Sequence, residues 1–279
     1  MANSSVDQIN EGENNPPILI IECGGLTLSK TNQRINFGPM FMEAAPFSPR
    51  EAIVINAEES PLTVKPQDFK GIIITGSLSM ASELEPWSRC LIKWLSKAVD
   101  KDVPILGVCF GHHLMARVFG GKVDYHPMGQ ELGSHDIFLS PLAKEHPLLE
   151  SLPSRFPAYL AHSQTVTDLP SQAMVLASSE HDDHQILAYG ENILTCQFHP
   201  EFTKSFMMAF IEEIKDYEAP QDLPSVVNLG QVHMKINHAK KLLRLFGDMV
   251  LEDNYQENYQ EEIRYEPITD FVLGRKNTI

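Results

Sequence analysis

Four apolar runs dominate the first part of the chain, at residues 18–22, 52–56, 71–75 and 104–108. Each is short, rich in isoleucine, leucine and valine, and apolar at nearly every position. That is the pattern of a strand buried on both faces of a parallel sheet. Between the last two runs the spacing changes. After Pro86, the positions Trp87, Leu91, Trp94, Leu95 and Ala98 recur at helical intervals. Strands alternating with helical or loop segments predict βαβ units with right-handed crossovers. Beyond residue 122 the runs become shorter and closer, at 137–139, 158–162, 174–177 and 185–189, and they predict an antiparallel extension with no domain boundary inside it. Another β-rich run covers 193–198. Residues 206–217 then read as an amphipathic helix, Pro220 and Pro224 break the chain, and a closing helix is expected around 235–249. The expected fold is α/β: an open, mostly parallel sheet with helices on both faces plus a small antiparallel extension. Ligands of such sheets bind beyond the carboxyl ends of the strands.

Two strand ends carry candidate chemistry. Pro104-Ile105-Leu106-Gly107-Val108 runs into Cys109-Phe110-Gly111-His112-His113, followed by helix-compatible residues from Leu114 to Arg117. This reads as strand, sharp turn and helix with a cysteine on the turn, the thiol counterpart of a nucleophile elbow. Free N–H groups at a helix start favour a thiolate and can receive the oxyanion formed when sulfur attacks a carbonyl. Taken alone, the segment fits equally a buried cysteine packed at a strand end. The run at 193–198 ends in His199-Pro200-Glu201-Phe202. A histidine there can act as general base to the cysteine, with a carboxylate two residues on fixing its tautomer. Cys109, Gly76 and His199 all fall just past strand ends. Without Cys109, His-Pro-Glu would read as an ordinary turn.

These residues carry a resemblance. Gly107-Val108-Cys109-Phe110-Gly111-His112 together with Gln197-Phe198-His199-Pro200-Glu201 resembles the class I glutamine amidotransferase family, most nearly its stand-alone members similar to the amidotransferase domain of GMP synthase. Gly71-Ile72-Ile73-Ile74-Thr75-Gly76-Ser77 resembles the family's strand and oxyanion loop. Gly129-Gln130-Glu131-Leu132-Gly133 and Ala161-His162-Ser163-Gln164-Thr165-Val166 resemble two substrate-side loops. The likeness runs from about residue 17 to about 250, and implies a flavodoxin-like domain over 17–250 between tails at 1–16 and 251–279. It implies a cysteine glutaminase: Cys109 attacks the γ-carboxamide of glutamine, His199 shuttles protons, Glu201 orients His199, and the backbone N–H groups of Gly76 and Phe110 form the oxyanion hole. Substrate-binding residues implied in the same way are His113, Gln130, Glu131, His162, Ser163 and Gln164. No cofactor is implied. His113 departs from the family, which usually has glutamine there; the change either alters the choice of γ-glutamyl compound or is simply tolerated. Gln164 stands where the GMP-synthase-like subgroup often has an acidic residue.

Three functions fit. One is a glutamine amidotransferase whose ammonia passes to a separate synthase subunit, since acceptor chemistry is expected on another chain. Another is a free-standing γ-glutamyl peptidase, and the last is a non-catalytic binding protein on the same fold. The 22 Lys and Arg against 37 Asp and Glu give a net charge of −15, which repels nucleic acid and other polyphosphates. No stretch approaches a membrane span, and the polar start, residues 1–15, lacks the marks of a secretion signal. A cytoplasmic protein is expected. The widely spaced Cys23, Cys90 and Cys196 read as inert packing residues suited to a reducing compartment. A metal site is not expected: His181, Asp182, Asp183 and His184 read as a surface turn, while His112 and His113 should face different sides of a helix. The repeat Asn254-Tyr255-Gln256-Glu257, Asn258-Tyr259-Gln260-Glu261 fits a partner-docking segment or an acidic tail with a chance duplication.

Overall fold

The computed structural model describes residues 16–217, 227–228 and 238–252. Both expected tails and the Asn-Tyr-Gln-Glu repeat lie almost entirely outside these residues. The chain opens with strands β1 (Ile18–Glu22), β2 (Gly25–Thr27) and β3 (Arg34–Asn36), then helix α1 (Phe37–Ala44) and strand β4 (Ala52–Asn56). Next come β5 (Gly71–Ile74), α2 (Pro86–Val99), β6 (Ile105–Val108) and α3 (Phe110–Val118). The middle of the chain is strand-rich, with β7 (Lys122–Tyr125), β8 (Glu131–Leu139), β9 (Arg155–His162) and β10 (Gln164–Asp168). It continues through β11 (Ala173–Ser178), β12 (Ile186–Tyr189) and β13 (Ile193–Cys196). Helix α4 (Lys204–Tyr217), the short β14 (Val227–Asn228) and helix α5 (His238–Leu251) complete the elements.

One ten-stranded sheet runs in the order β14-β8-β11-β12-β13-β6-β5-β1-β4, with β9 paired to β8. From β4 through β13 the pairings are parallel. From β13 through β12, β11, β8 and β9 they are antiparallel, as the shortening of the apolar runs predicted. Because side chains alternate across a strand, each parallel strand feeds two cores. Ile18, Ile20, Ile73 and Leu106 face one way, toward α1 and α5; Leu19, Ile21, Ile72 and Ile105 face the other, toward α2 and α3. Full burial of each such side chain contributes about 1.5–3 kcal/mol, which is why these positions are isoleucine or leucine, with Glu22 and Asn56 confined to the ends of their strands. Among the described residues no helix is long and apolar enough to cross a membrane.

The short elements were not anticipated. β2 and β3 have three residues each, too few to show a period. In α1, Gly38 and Pro39 mimic a turn. Pro39 sits in the first helical turn, where its missing N–H has no helical partner to lose. Gly38 is required because a Cβ would lie 2.4 Å from a Val54 methyl, and its N–H donates to the buried Glu22 carboxylate at 2.8 Å. Two side-chain expectations are corrected. Cys90 is exposed, on the flank of α2 beside the buried stripe of Leu91, Trp94, Leu95 and Ala98. Asp182 is buried rather than on a surface turn, because the turn folds inward and its carboxylate accepts the His184 N–H at 2.8 Å.

Candidate active site

Cys109 occupies the single residue between β6 and α3, with φ 51° and ψ −100°. This conformation is unfavourable for any residue with a Cβ and costs about 1–3 kcal/mol. Two glycines permit it. A Cβ on Gly107 would lie 2.8 Å from the Gly111 carbonyl oxygen, and one on Gly111 would lie 2.7 Å from the Ile74 carbonyl oxygen. The Gly-Val-Cys-Phe-Gly pattern thus lets the chain reverse tightly enough to present the thiol at the helix start. The Cys109 N–H donates to the Cys196 carbonyl at 2.8 Å, tying the elbow to β13.

β13 also delivers the histidine. The His199 N–H donates to the Tyr159 carbonyl at 2.8 Å, and Nδ1 lies 2.8 Å from Glu201 Oε1. A Cβ placed on Gly76 would lie 2.9 Å from His199 Cε1 and 3.6 Å from Cys109 Cβ, so the two side chains converge on the same glycine. Burial alone would push the imidazole toward its neutral form. The carboxylate of Glu201, the charge at Cys109 and hydrogen bonds to both reverse this and raise the His199 pKa to about 10. A thiol, an imidazole and a carboxylate are therefore grouped here, and the helix start beside them offers backbone donors.

In front of Cys109 lies a cavity of ≈450 Å³. Cys109, Phe110, His113, Gln130, His162, Ser163 and Gln164 line it; His199, Glu201, Gly76 and Glu131 are not among its lining residues. Glu131 is engaged in support. Its carboxylate bonds His162 Nε2 at 2.9 Å, Ser179 Oγ at 2.8 Å and Gln185 Nε2 at 2.9 Å. Burial opposes ionisation of Glu131, but the bonds from His162 and Ser179 prevail and lower its pKa. Gln164 spends both ends of its amide on Ser82: Nε2 donates to Oγ at 2.5 Å and Oε1 accepts the Ser82 N–H at 3.2 Å. It holds the loop after β5 rather than pointing an amide into the cavity. Gln130 differs, since its buried Oε1 has no partner.

His112 and His113 do not face opposite sides. Both reach toward β13, because the first turn of α3 lies across it. His112 Nδ1 is 2.8 Å from Thr195 Oγ1, and His113 Nε2 is 2.6 Å from Gln197 Oε1. The Thr195 hydroxyl donates to the Leu187 carbonyl at 3.2 Å, so His112 must be the donor in its own bond. Burial holds His112 well below the ordinary histidine range and pushes His113 down to about 4. Both rings are neutral at pH 7.

The outer part of the cavity is not foreshadowed in the sequence. Leu26, Thr27 and Arg34 of the β2–β3 hairpin and Phe210, Glu213 and Ile214 of α4 form its far wall, with Leu78 and Met80 at the rim. The only advance signal is the amphipathic period of α4, which does not say what its apolar face covers. Among the described residues no group of three or more His, Cys, Asp or Glu is placed to hold a metal ion.

The chain is similar to known proteins in sequence and in fold. The family model "Glutamine amidotransferase class-I" matches residues 49–213. The glutamine-hydrolyzing GMP synthase subunit of Methanopyrus kandleri is 33% identical over 152 residues, which is 53% of this chain and 76% of that protein. Gamma-glutamyl peptidase 5 of Arabidopsis thaliana is 30% identical over 148 residues, 52% of this chain and 59% of the peptidase. The match thus spans about three-fifths of the length of such peptidases. A glutamine amidotransferase from Thermotoga maritima superposes with a TM-score of 0.66 at 21% identity, covering 85% of this chain and 99% of that one.

Proposed function

For a chain that belongs to the class I glutamine amidotransferase family, we propose that the cavity hydrolyses the amide of a γ-glutamyl group with Cys109 as nucleophile. His199 already holds the proton of the pair, and the sulfur attacks as thiolate at the γ-carbonyl carbon to form a C–S bond. The carbonyl oxygen becomes an oxyanion between the N–H groups of Phe110 and Gly76, donors that need no reorganisation during the reaction. His199 returns the proton to the leaving nitrogen as the C–N bond breaks, which an unactivated amide requires. Water, deprotonated by the same imidazole, then cleaves the γ-glutamyl thioester to release glutamate and restore the thiol. Glu201 fixes the ring throughout. The α-amino-acid head of the substrate lies along the polar wall, where Gln130 Oε1 and Ser163 are the acceptors within reach of its ammonium.

The single observation that carries this reading is the elbow cysteine converging on Gly76 with a histidine whose Nδ1 meets a carboxylate at 2.8 Å. With glutamine as substrate the product is ammonia, available to a synthase on a separate chain. The cavity itself favours a second reading, a free-standing γ-glutamyl peptidase. Its ≈450 Å³ falls within the range of sites for drug-sized ligands, roughly 300–1,000 Å³, more than one amino acid fills. Its far wall of Leu26, Phe210 and Ile214 suits an apolar group on the leaving amine.

Glutamate release from L-glutamine and from a panel of γ-glutamyl dipeptides decides among these. Turnover of every accepted substrate is expected to vanish in Cys109→Ser. Unchanged rates in that variant would reject the mechanism, and a folded wild type inert toward the whole panel would leave the non-catalytic binding protein as the better reading.

A further inference from the structure

We propose that Phe202 is a positioning residue that stabilises the protonated imidazole of His199 through its ring face. This rests on the reading that His199 serves Cys109. The two rings are stacked, with centroids 3.9 Å apart and planes 13° from parallel. Both are buried, His199 at 4% and Phe202 at 2% exposure. The stack completes the enclosure of the imidazole: Glu201 holds Nδ1, the Gly76 backbone closes on Cε1, and Phe202 covers one face. Phe202 is itself fixed by other rings, with Phe206 at 4.5 Å and Phe210 at 5.8 Å between centroids. That ladder runs along α4, so the helix that walls the cavity also sets the ring beneath the base.

The chemistry favours a cation there. A phenyl face is the negative part of its quadrupole and attracts a cation lying over it, the more so without water. A neutral imidazole would gain dispersion from the same stack, but little from its polarity. The titratable groups that bear on His199 are Glu201, two residues along its own turn, and Cys109 at the end of β6. Phe202 adds an uncharged partner on the face that neither of them reaches. The alternative is that Phe202 only fills space in the cluster of Phe37, Phe206 and Phe210.

Fluorination separates the two, because it drains the ring face of negative charge while keeping its shape close to that of phenylalanine. Residue 202 is replaced in the full chain by mono-, di- and trifluorophenylalanine. The His199 ring is followed by NMR against pH in protein carrying ¹³C-labelled histidine, its signal assigned by loss in His199→Gln. The titration midpoint is expected to fall stepwise, with proton affinity dropping about two- to tenfold across the series. A midpoint that stays constant in folded proteins would overturn the proposal and leave Phe202 a packing residue. The titration needs no substrate, so its outcome is separate from the Cys109→Ser test of the proposed function.

Discussion

His199 and His113 are equally buried, each 4% exposed, yet their environments drive them to opposite charge states. His199 is raised to about 10, and His113 is lowered to about 4. Burial pushes both down, so it accounts for His113 but not for the rise at His199 or the difference between them. The partner decides. His199 meets the carboxylate of Glu201 at 2.8 Å, whereas His113 meets the neutral amide of Gln197 at 2.6 Å. One turn, His199-Pro200-Glu201, converts a buried ring into a base that holds its proton. The helix opposite keeps its ring uncharged on the cavity wall, where the proposed γ-glutamyl substrate is to be desolvated. A charged His113 beside the thiol would compete with His199 for the same negative charge.

Making the two sites alike is the strongest way to break this contrast. Glu201→Gln gives His199 an amide partner like that of His113. Its proton affinity should then fall below that of an ordinary histidine, because burial is no longer opposed by a carboxylate. kcat/KM on the best γ-glutamyl substrate is expected to drop by about 10³ to 10⁴, as when an orienting carboxylate is lost from other nucleophile–histidine pairs. Steady-state kinetics and the NMR titration check the two halves separately. Retention of more than a tenth of wild-type activity would mean that Glu201 does not set the state of His199.

The contrast also has a signature in stability. Between about pH 6.5 and 10 the native state binds a proton at His199 that the unfolded chain does not, so stability falls as pH rises through that window. Between about 6.5 and 4 the unfolded chain binds a proton that native His113 refuses, so stability falls as pH drops. His146, also lowered to about 4 by burial, adds to the acid side. His113 and His146 are each expected to change unfolding free energy by about 3 kcal/mol across their window, and His199 by about 5 kcal/mol across its wider one. Urea unfolding from pH 4 to 10 should show an optimum near neutrality. Glu201→Gln should flatten the alkaline slope and His113→Gln part of the acid slope; slopes unaltered in both variants would contradict these assignments.

Much of this site is legible in the sequence alone, and the reason is chemical. Cysteine between two close glycines, and His-Pro-Glu after an apolar run, are local patterns whose geometry is set by the residues themselves. The parallel strands are equally plain, because strands buried on both faces show unbroken apolar runs. What stays hidden depends on packing between distant segments. Gln164 looks like a substrate ligand in sequence, but its amide is consumed by Ser82, eighty-two residues earlier. Glu131 looks the same and instead stands behind His162. β2 and β3 are too short to show a period, so their part of the cavity's far wall leaves no mark in the pattern. Phe202 is adjacent to the His-Pro-Glu turn, yet only the path of α4 reveals that its ring lies on His199.

The smallest expected effect concerns which substrate the neutral wall prefers. His113→Gln restores the residue usual in the family and keeps an uncharged group beside Cys109, so the attack chemistry is left intact. Glutamine carries a donor and an acceptor on one amide, where the neutral imidazole of His113 is held by the Gln197 amide and the Gln164 backbone. The replacement should therefore hold a small, fully polar substrate better, and do nothing for the apolar far wall. The ratio of kcat/KM for L-glutamine to that for an apolar γ-glutamyl dipeptide is expected to rise about three- to tenfold, the worth of roughly one hydrogen bond. The change should come mainly through KM. A ratio that stays constant would remove His113 from substrate choice and leave the outer wall of β2, β3 and α4 to account for any preference between glutamine and peptides.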